Sequence, residues 1–396
     1  MKLPIYLDNH ATTPLDPRVL EAMMPYLTET YGNAASHSHG FGWAAEQAVE
    51  TARAQVAQLI GATAKEIVFT SGATESNNLA LKGVVEAARQ AQPERPLHVI
   101  TQATEHKAVL DPCAWLGKQG CRVTVLPVGR DGLVNLDGLR HALDEDPALL
   151  VSIMAANNEV GTVQAVEEIG ALCRERGVLF HTDAAQAAGK VPMDVARAKI
   201  DLLSISGHKI YGPKGVGALY VRRGVKAAEQ MHGGGHEHAM RSGTLNVAGI
   251  VGLGAACALA GAEMEAETAR LTALRERLRT KLVADLERVR VNGADVSGKR
   301  RLPGNLSVTF EGVDSQSLMM GLKDVAVSSG SACTSASIQA SHVLRALGLS
   351  EEDAHSTLRF GIGRFNTEEE IDFVAERLLD AVPKLRELSP AWADAT

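Results

Sequence analysis

Residues 178–209 read VLFHTDAAQAAGKVPMDVARAKIDLLSISGHK. Two short apolar runs, VLFHT and LLSIS, stand a helix-sized segment apart, and each breaks off into polar residues: Asp183 and Gln186 after the first, Ser206, His208 and Lys209 after the second. Short continuous runs of Leu, Ile, Val and Phe fit strands covered on both faces. The same cadence extends outward from about residue 67 to 221 through EIVFT, LHVIT, RVTVLPV, LLVSIM, VLFHT, LLSIS and GALYV, with longer helical patterns between them. Strands spaced by helices predict βαβ units and an α/β fold with a mostly parallel, doubly wound sheet sandwiched by helices.

A second region follows. Residues 247–262 are apolar but interrupted by glycines, run straight into Glu263 and Glu265, and fall short of the ~18–20 residues a bilayer requires. They predict a buried helix, followed by a separate charged helix over about 263–288. A Gly/Pro-containing stretch, 291–304, then leads to a strand NLSVTF, a helix over 315–322, a strand VAVS, the run SSGSACTSAS, a helix near 342–347, a strand TLRF and a last helix. That helix opens on Thr367 and Glu370, the spacing of a capping box. This pattern predicts a smaller α/β domain. The expected division is a large domain over 15–262 and a small one built from 1–14 and 263–396.

With 40 Lys plus Arg against 47 Asp plus Glu in 396 residues, the net charge is −7 and no long basic run is present. Direct nucleic-acid binding and membrane insertion are therefore not expected. The N-terminal MKLPIYLDNHATTP has no apolar core of a secretory signal, so the expected compartment is the cytoplasm. Five cysteines, an odd count with no C-x-x-C pair, predict neither a disulfide framework nor a Cys-rich zinc site. The histidines of MHGGGHEH lack the H-E-x-x-H spacing of a zinc site, and no resident metal is expected. Cys333 differs from the other cysteines, because SSGSACTSAS has no apolar periodicity and gives a thiol no packing reason to be there.

In open α/β sheets ligands bind beyond the carboxyl ends of the strands. Five of the runs end in polar, reactive residues: 71–76 (SGATES), 104–107 (TEHK), Asn157 to Glu159, Asp183 with Gln186, and Ser206 with His208 and Lys209. The SGAT turn between strand and helix offers free N–H groups and hydroxyls suited to a phosphate. Asp183 at the end of an apolar strand calls for a cation such as a protonated pyridine nitrogen. Lys209 is placed to be a Schiff-base lysine, with Lys214 as its rival. Phosphate, pyridinium and Schiff base are together the requirements of pyridoxal 5′-phosphate. On that reading His106 lies on the ring face and moves protons, while Asn158 and Gln186 hydrogen-bond the ring oxygen.

These residues carry a family likeness. From YLDNHATTP through SGATESNN, TEHKAVL, ANNEVG, HTDAAQ, SGHKIYGPKG, RSGTLN and SSGSACTSAS to LRFGIGRF, the chain resembles the NifS/IscS-type cysteine desulfurases, fold-type I pyridoxal-phosphate enzymes of the class V aminotransferase group. The resemblance implies that Lys209 holds the cofactor, Asp183 pairs with the ring nitrogen, His106 is stacking residue and acid/base, and Asn158 and Gln186 contact the ring oxygen. It further implies that Ala73, Thr74, Ser206 and His208 bind the phosphate, with Thr244 reaching it from the other subunit of a homodimer. Arg359, assisted by Asn33, would clamp the carboxylate of L-cysteine. Cys333 would take the sulfur as a persulfide, leave alanine, and pass the sulfur to an iron–sulfur scaffold protein and other acceptors, with Cys333 a transient ligand of an assembling cluster at most.

Two other classes compete. A dinucleotide-binding dehydrogenase is disfavoured because GVGALY, GLGAAC and GIGRFN do not complete G-x-G-x-x-G between strand and helix. A non-catalytic sulfur carrier would not need Asp183 and Lys209 together. Within pyridoxal chemistry, Cys333 argues against an aminotransferase, and its extended loop against a selenocysteine lyase.

Overall fold

A computed structural model describes residues 2–329, 340–389 and 392. Cys333 lies outside the described residues. Ile5–Tyr6 forms a short first strand (β1), and all seven predicted runs of the large sheet follow: β2 (Ile67–Thr70), β3 (His98–Gln102), β4 (Arg122–Leu126), β5 (Leu150–Ser152), β6 (Leu179–Asp183), β7 (Leu202–Ser206) and β8 (Gly217–Val221). Their order is β2-β8-β7-β6-β5-β3-β4. Only β8 runs antiparallel to its neighbours; every other pairing in the sheet is parallel.

Alternation along these strands feeds two cores. Val68, Val99, Leu150, Leu202 and Leu219 pack on one face, while Phe69, Ile100, Val151, Leu203 and Ala218, each a neighbour in sequence, pack on the other. Because successive side chains point to opposite faces, a strand apolar at every position must be covered on both sides. Helices Ala73–Ala91 and Lys107–Lys118 supply one cover, and Gly40–Leu59, Val166–Glu175 and the start of Val247–Asp285 the other. The edge strand β4 is the exception, with Arg122 and Val125 exposed.

The later residues build a second sheet around a separate core. Strands β9 (Val289–Val291) and β10 (Asn305–Phe310) join β12 (Ser328–Ser329) and β13 (Thr357–Gly361) in the order β12-β13-β10-β9, all antiparallel. The run VAVS, expected as one strand, is divided: β11 (Val325–Ala326) pairs in parallel with β1, and Ser328 continues onto β13. The N-terminal chain thereby joins the second core, where Ile5 and Leu7 sit with Phe310, Phe360 and Ile371.

One expectation is corrected. The buried helix and the charged helix are a single 39-residue helix, Val247–Asp285. No proline or capping residue interrupts it, so nothing stops propagation past Glu263. Its first half, through Ala256 and Cys257, packs in the large core, whereas Leu271, Leu274, Leu278 and Leu282, at helical spacing, enter the second. The same helix is long and apolar enough by composition to cross a membrane, yet its apolar half is the part packed against the sheet.

Candidate active site

The carboxyl ends of β2, β3, β5, β6 and β7 converge on a cavity of about 610 Å³. Its lining includes Ala73, Thr74, His106, Asn158, Asp183, Gln186, Ser206, His208, Lys209 and Arg359, ten of the residues singled out from the sequence. Asn33 and Thr244 are exposed and lie outside that lining. Lys214 is exposed at the rim.

One corner suits an anion. Helix Ala73–Ala91 begins at Gly72 without a side-chain cap, so the N–H groups of its first turn and its positive dipole end face the cavity. Gly72 holds φ at 150°, and the Cα of Gly72 would lie only 2.6 Å from a β-carbon placed on Gly217. Glycine at both positions lets β8 press against the turn. His208 donates or accepts through Nδ1 with the Thr12 hydroxyl at 3.1 Å, which leaves Nε2 for a ligand. Burial, followed by the charges of Lys209, Lys214 and Lys190, lowers its pKa to about 4. A bound phosphate would oppose that shift.

The opposite corner is organised around Asp183, only 5% exposed at the end of β6. Its carboxylate accepts hydrogen bonds from Asn77 Nδ2 at 2.7 Å and from the Ala185 N–H at 2.9 Å. Glu105, buried nearby, is raised well above the usual carboxylate range by desolvation and also by the charge of Asp183. Burial thus disfavours the charged form of Glu105, which makes it a poor substitute for Asp183. His106 caps helix Lys107–Lys118, its Nδ1 accepting from the Ala108 N–H at 3.1 Å. In the neutral ring that bond places the proton on Nε2. Burial lowers the pKa of His106, with Asp183 opposing and Lys209 assisting.

Lys209 ends a 3₁₀ turn after β7, and its Nζ donates to the carbonyls of His10 and Ala11, each at 2.7 Å. Across the cavity Arg359 rises from β13 of the second sheet. Its guanidinium donates to Asp8 Oδ1 at 2.7 Å and to the Asn158 carbonyl at 3.2 Å. Its Nε is buried with no hydrogen-bond partner, and Nη1 and Nη2 each use one of their two N–H groups in these bonds, so the guanidinium keeps donors for a carboxylate ligand.

Four groups in the site were not foreseen. Asp8 orients Arg359, and Asn77 holds Asp183. Lys190 holds Gln186, its Nζ donating to Gln186 Oε1 at 2.8 Å. His10 lines the cavity, 3% exposed, with both ring nitrogens unpartnered. Asn77 sits inside the SGATESNN motif and follows Gly72 by just over one helical turn, a spacing that could have flagged it. Asp8 and His10 lie in the quoted YLDNHATTP, but no local pattern places them beside the strand ends, because only the return of the N-terminal chain across β13 brings them in. Among the described residues no three His, Cys, Asp or Glu side chains converge as a metal site would require.

An uncapped helix start, a buried carboxylate and a lysine at neighbouring strand ends, in a cavity of this volume, fit pyridoxal 5′-phosphate, and they define the class of pyridoxal-phosphate enzymes of fold type I. The chain matches the Aminotransferase class-V family over residues 5–374. It is 59% identical over 394 residues to cysteine desulfurase IscS of Anaeromyxobacter sp. (strain Fw109-5), covering 99% of this chain and 96% of that one. It is 56% identical to cysteine desulfurase IscS of Shewanella amazonensis, with the same coverage. Among solved structures it is similar to a NifS-like protein, with a TM-score of 0.89 at 38% identity over 97% of this chain and all of that one. A structure of SspA in complex with cysteine gives 0.79 at 37% identity, over 92% of this chain and all of that one. The chain belongs to the class-V aminotransferase family, in its NifS/IscS cysteine desulfurase branch.

Proposed function

We propose that the pocket removes sulfur from L-cysteine, giving L-alanine and a persulfide on Cys333 whose outer sulfur passes to an iron–sulfur scaffold and other acceptors. The observation that carries this reading is the pairing of Arg359, with its unpartnered buried Nε, and Lys209 across one cavity. A substrate anchored by its carboxylate at Arg359 presents its amino group toward Lys209 and its β-carbon to the space between them.

When bound, pyridoxal 5′-phosphate supplies the electron sink that weakens the bonds at the substrate's α- and β-carbons. Asp183, held by Asn77 and Ala185, keeps a negative charge at the ring-nitrogen end. Ala73, Thr74, Ser206 and His208 hold the phosphate end, and Asn158 and Gln186 the ring oxygen. Lys209 moves the α-proton, and His106, neutral with its proton on Nε2, covers the ring and exchanges protons with the substrate. The chemistry balances without an external oxidant: the substrate's Cβ–S bond breaks, its sulfur joins the Cys333 thiolate, and the carbon skeleton leaves as alanine. A reductant is needed only to release the sulfur as sulfide.

The division into a large domain over 15–262 and a small domain of 1–14 with 263–396 is supported by the two separate cores. A homodimer is supported by the exposed apolar side chains Leu27, Tyr31, Phe41 and Trp43, clustered in sequence around the first two helices. Thr244, exposed and outside the cavity of its own chain, is then the residue that completes the partner's phosphate site, and Asn33 assists at the carboxylate. A cytoplasmic enzyme agrees with the packing of the apolar half of Val247–Asp285 in the large core. The protein supplied with L-cysteine and a thiol reductant is expected to release sulfide and alanine in equal amounts. A coloured, cofactor-loaded protein that yields neither, or alanine's keto acid in place of alanine, would overturn the proposal.

A further inference from the structure

Gln186 faces the cavity with an amide whose two ends are chemically opposite and nearly identical in shape. Which end faces a ligand is decided by the neighbours. On one side stands Lys190 Nζ, 2.8 Å from Gln186 Oε1. In its protonated form the amine can only donate, so it selects the oxygen. On the other side stands the carbonyl of His10, 2.8 Å from Gln186 Nε2. A carbonyl can only accept, so it selects the nitrogen. The two contacts agree, and together they leave the second Nε2–H as the hydrogen that Gln186 can offer to the cavity.

The amine is in an expensive place. Burial, and after it the charges of Lys209 and Arg359, bring the pKa of Lys190 down to about 7, with Glu267 alone opposing. Glu267 itself is engaged by Arg364 at 2.8 Å, so it is not a dedicated partner for Lys190. Thr268, on the same helix as Glu267, touches only the Lys190 carbonyl, at 3.4 Å. The hydrogen bond to Gln186 is the specific contact that the Lys190 side chain makes among the described residues.

We propose that Lys190 is a positioning residue for the cofactor: by fixing Gln186 in one of its two amide orientations, it aims an N–H donor at the ring oxygen of pyridoxal 5′-phosphate. The inference rests on the assignment of Gln186 to that oxygen. It gives Lys190 a role exercised through Gln186 and not through any direct contact with substrate. Without Lys190 only the His10 carbonyl selects the orientation, and the turned-over amide, whose oxygen opposes the ring oxygen, gains a larger share of the population.

The test is a double-mutant cycle on the cofactor-loaded protein, read by the pH midpoint of the bound cofactor's visible absorbance. The variants are Lys190→Met, Gln186→Leu and the double substitution. An N–H donor to the ring oxygen stabilises its anionic form, so each single substitution is expected to move the midpoint upward, by about half to one pH unit. The charge of Lys190 alone could shift the midpoint, and the cycle separates this effect from positioning. If Lys190 acts through Gln186, Lys190→Met has no further effect in the Gln186→Leu background. Lys190→Arg, whose guanidinium can donate to Gln186 but cannot accept, is expected to stay near the wild-type midpoint. Additive shifts, or a Lys190→Arg midpoint equal to that of Lys190→Met, would overturn the inference. A wild-type protein that takes up no pyridoxal 5′-phosphate would instead refute the assignment of the pocket, so the two failures are distinguishable.

Discussion

Lys209→Ala is expected to lose covalent attachment of pyridoxal 5′-phosphate and to lower the rate of sulfide formation by about 10⁴-fold or more. Only an amine can make that attachment, and the structure offers two other candidates. Lys214 is exposed at the rim of the cavity. Lys190 has its amine drawn down to about 7, but directed onto Gln186 Oε1. Lys209 instead leads from the end of β7 into the cavity, where the His10 and Ala11 carbonyls hold its amine. Borohydride reduction of the loaded wild-type protein, followed by peptide mapping, is expected to fix the cofactor on Lys209. Label on Lys190 or Lys214 in the wild type would contradict the assignment. Substituting Lys209 leaves its two carbonyl acceptors open to the water-accessible cavity, so little loss of fold stability is expected, and thermal unfolding checks that the effect is chemical.

Asp183→Asn is the second large effect, about 10³-fold in turnover. On the proposed placement of the cofactor the substitution removes the charge opposite the ring nitrogen while keeping the side-chain volume, and breaking a partly desolvated ion pair costs about 3–5 kcal/mol. The neighbouring Glu105 is a poor replacement, because burial disfavours its charged form. There is also a local mismatch. Asp183 accepts from both Asn77 Nδ2 and the Ala185 N–H, and an asparagine has only one oxygen to offer them. Measured kcat for L-cysteine, with cofactor content normalised by phosphate analysis, tests the figure. A loss below about tenfold would mean that ring-nitrogen protonation does not depend on this carboxylate.

The large sheet was legible because most of its strands carry apolar residues on both faces, a pattern suited to a doubly covered strand. Its functional edge was legible for the related reason that polar residues such as Asp183 and Lys209 follow those strands immediately. What was lost depended on tertiary contact. The charged face of Val247–Asp285 resembled a new helix because the change from Gly/Ala to Leu spacing marks a change of core and not a break in the backbone. The split of VAVS reflects competition between β1 and β13 for neighbouring residues, which no local pattern encodes. Asp8, His10 and Lys190 join the site through contacts spanning up to 351 residues or through a side chain that touches only another side chain.

The most direct measurement is a single turnover of L-cysteine without reductant, comparing wild type with Cys333→Ser. Wild type is expected to form one alanine per chain and to carry one added sulfur on the peptide containing Cys333, while Cys333→Ser keeps the cofactor's colour, forms no persulfide and makes essentially no alanine. Stoichiometric alanine from Cys333→Ser, or added sulfur on Cys113, Cys121, Cys173 or Cys257, would contradict transfer to Cys333. Those four thiols are all buried.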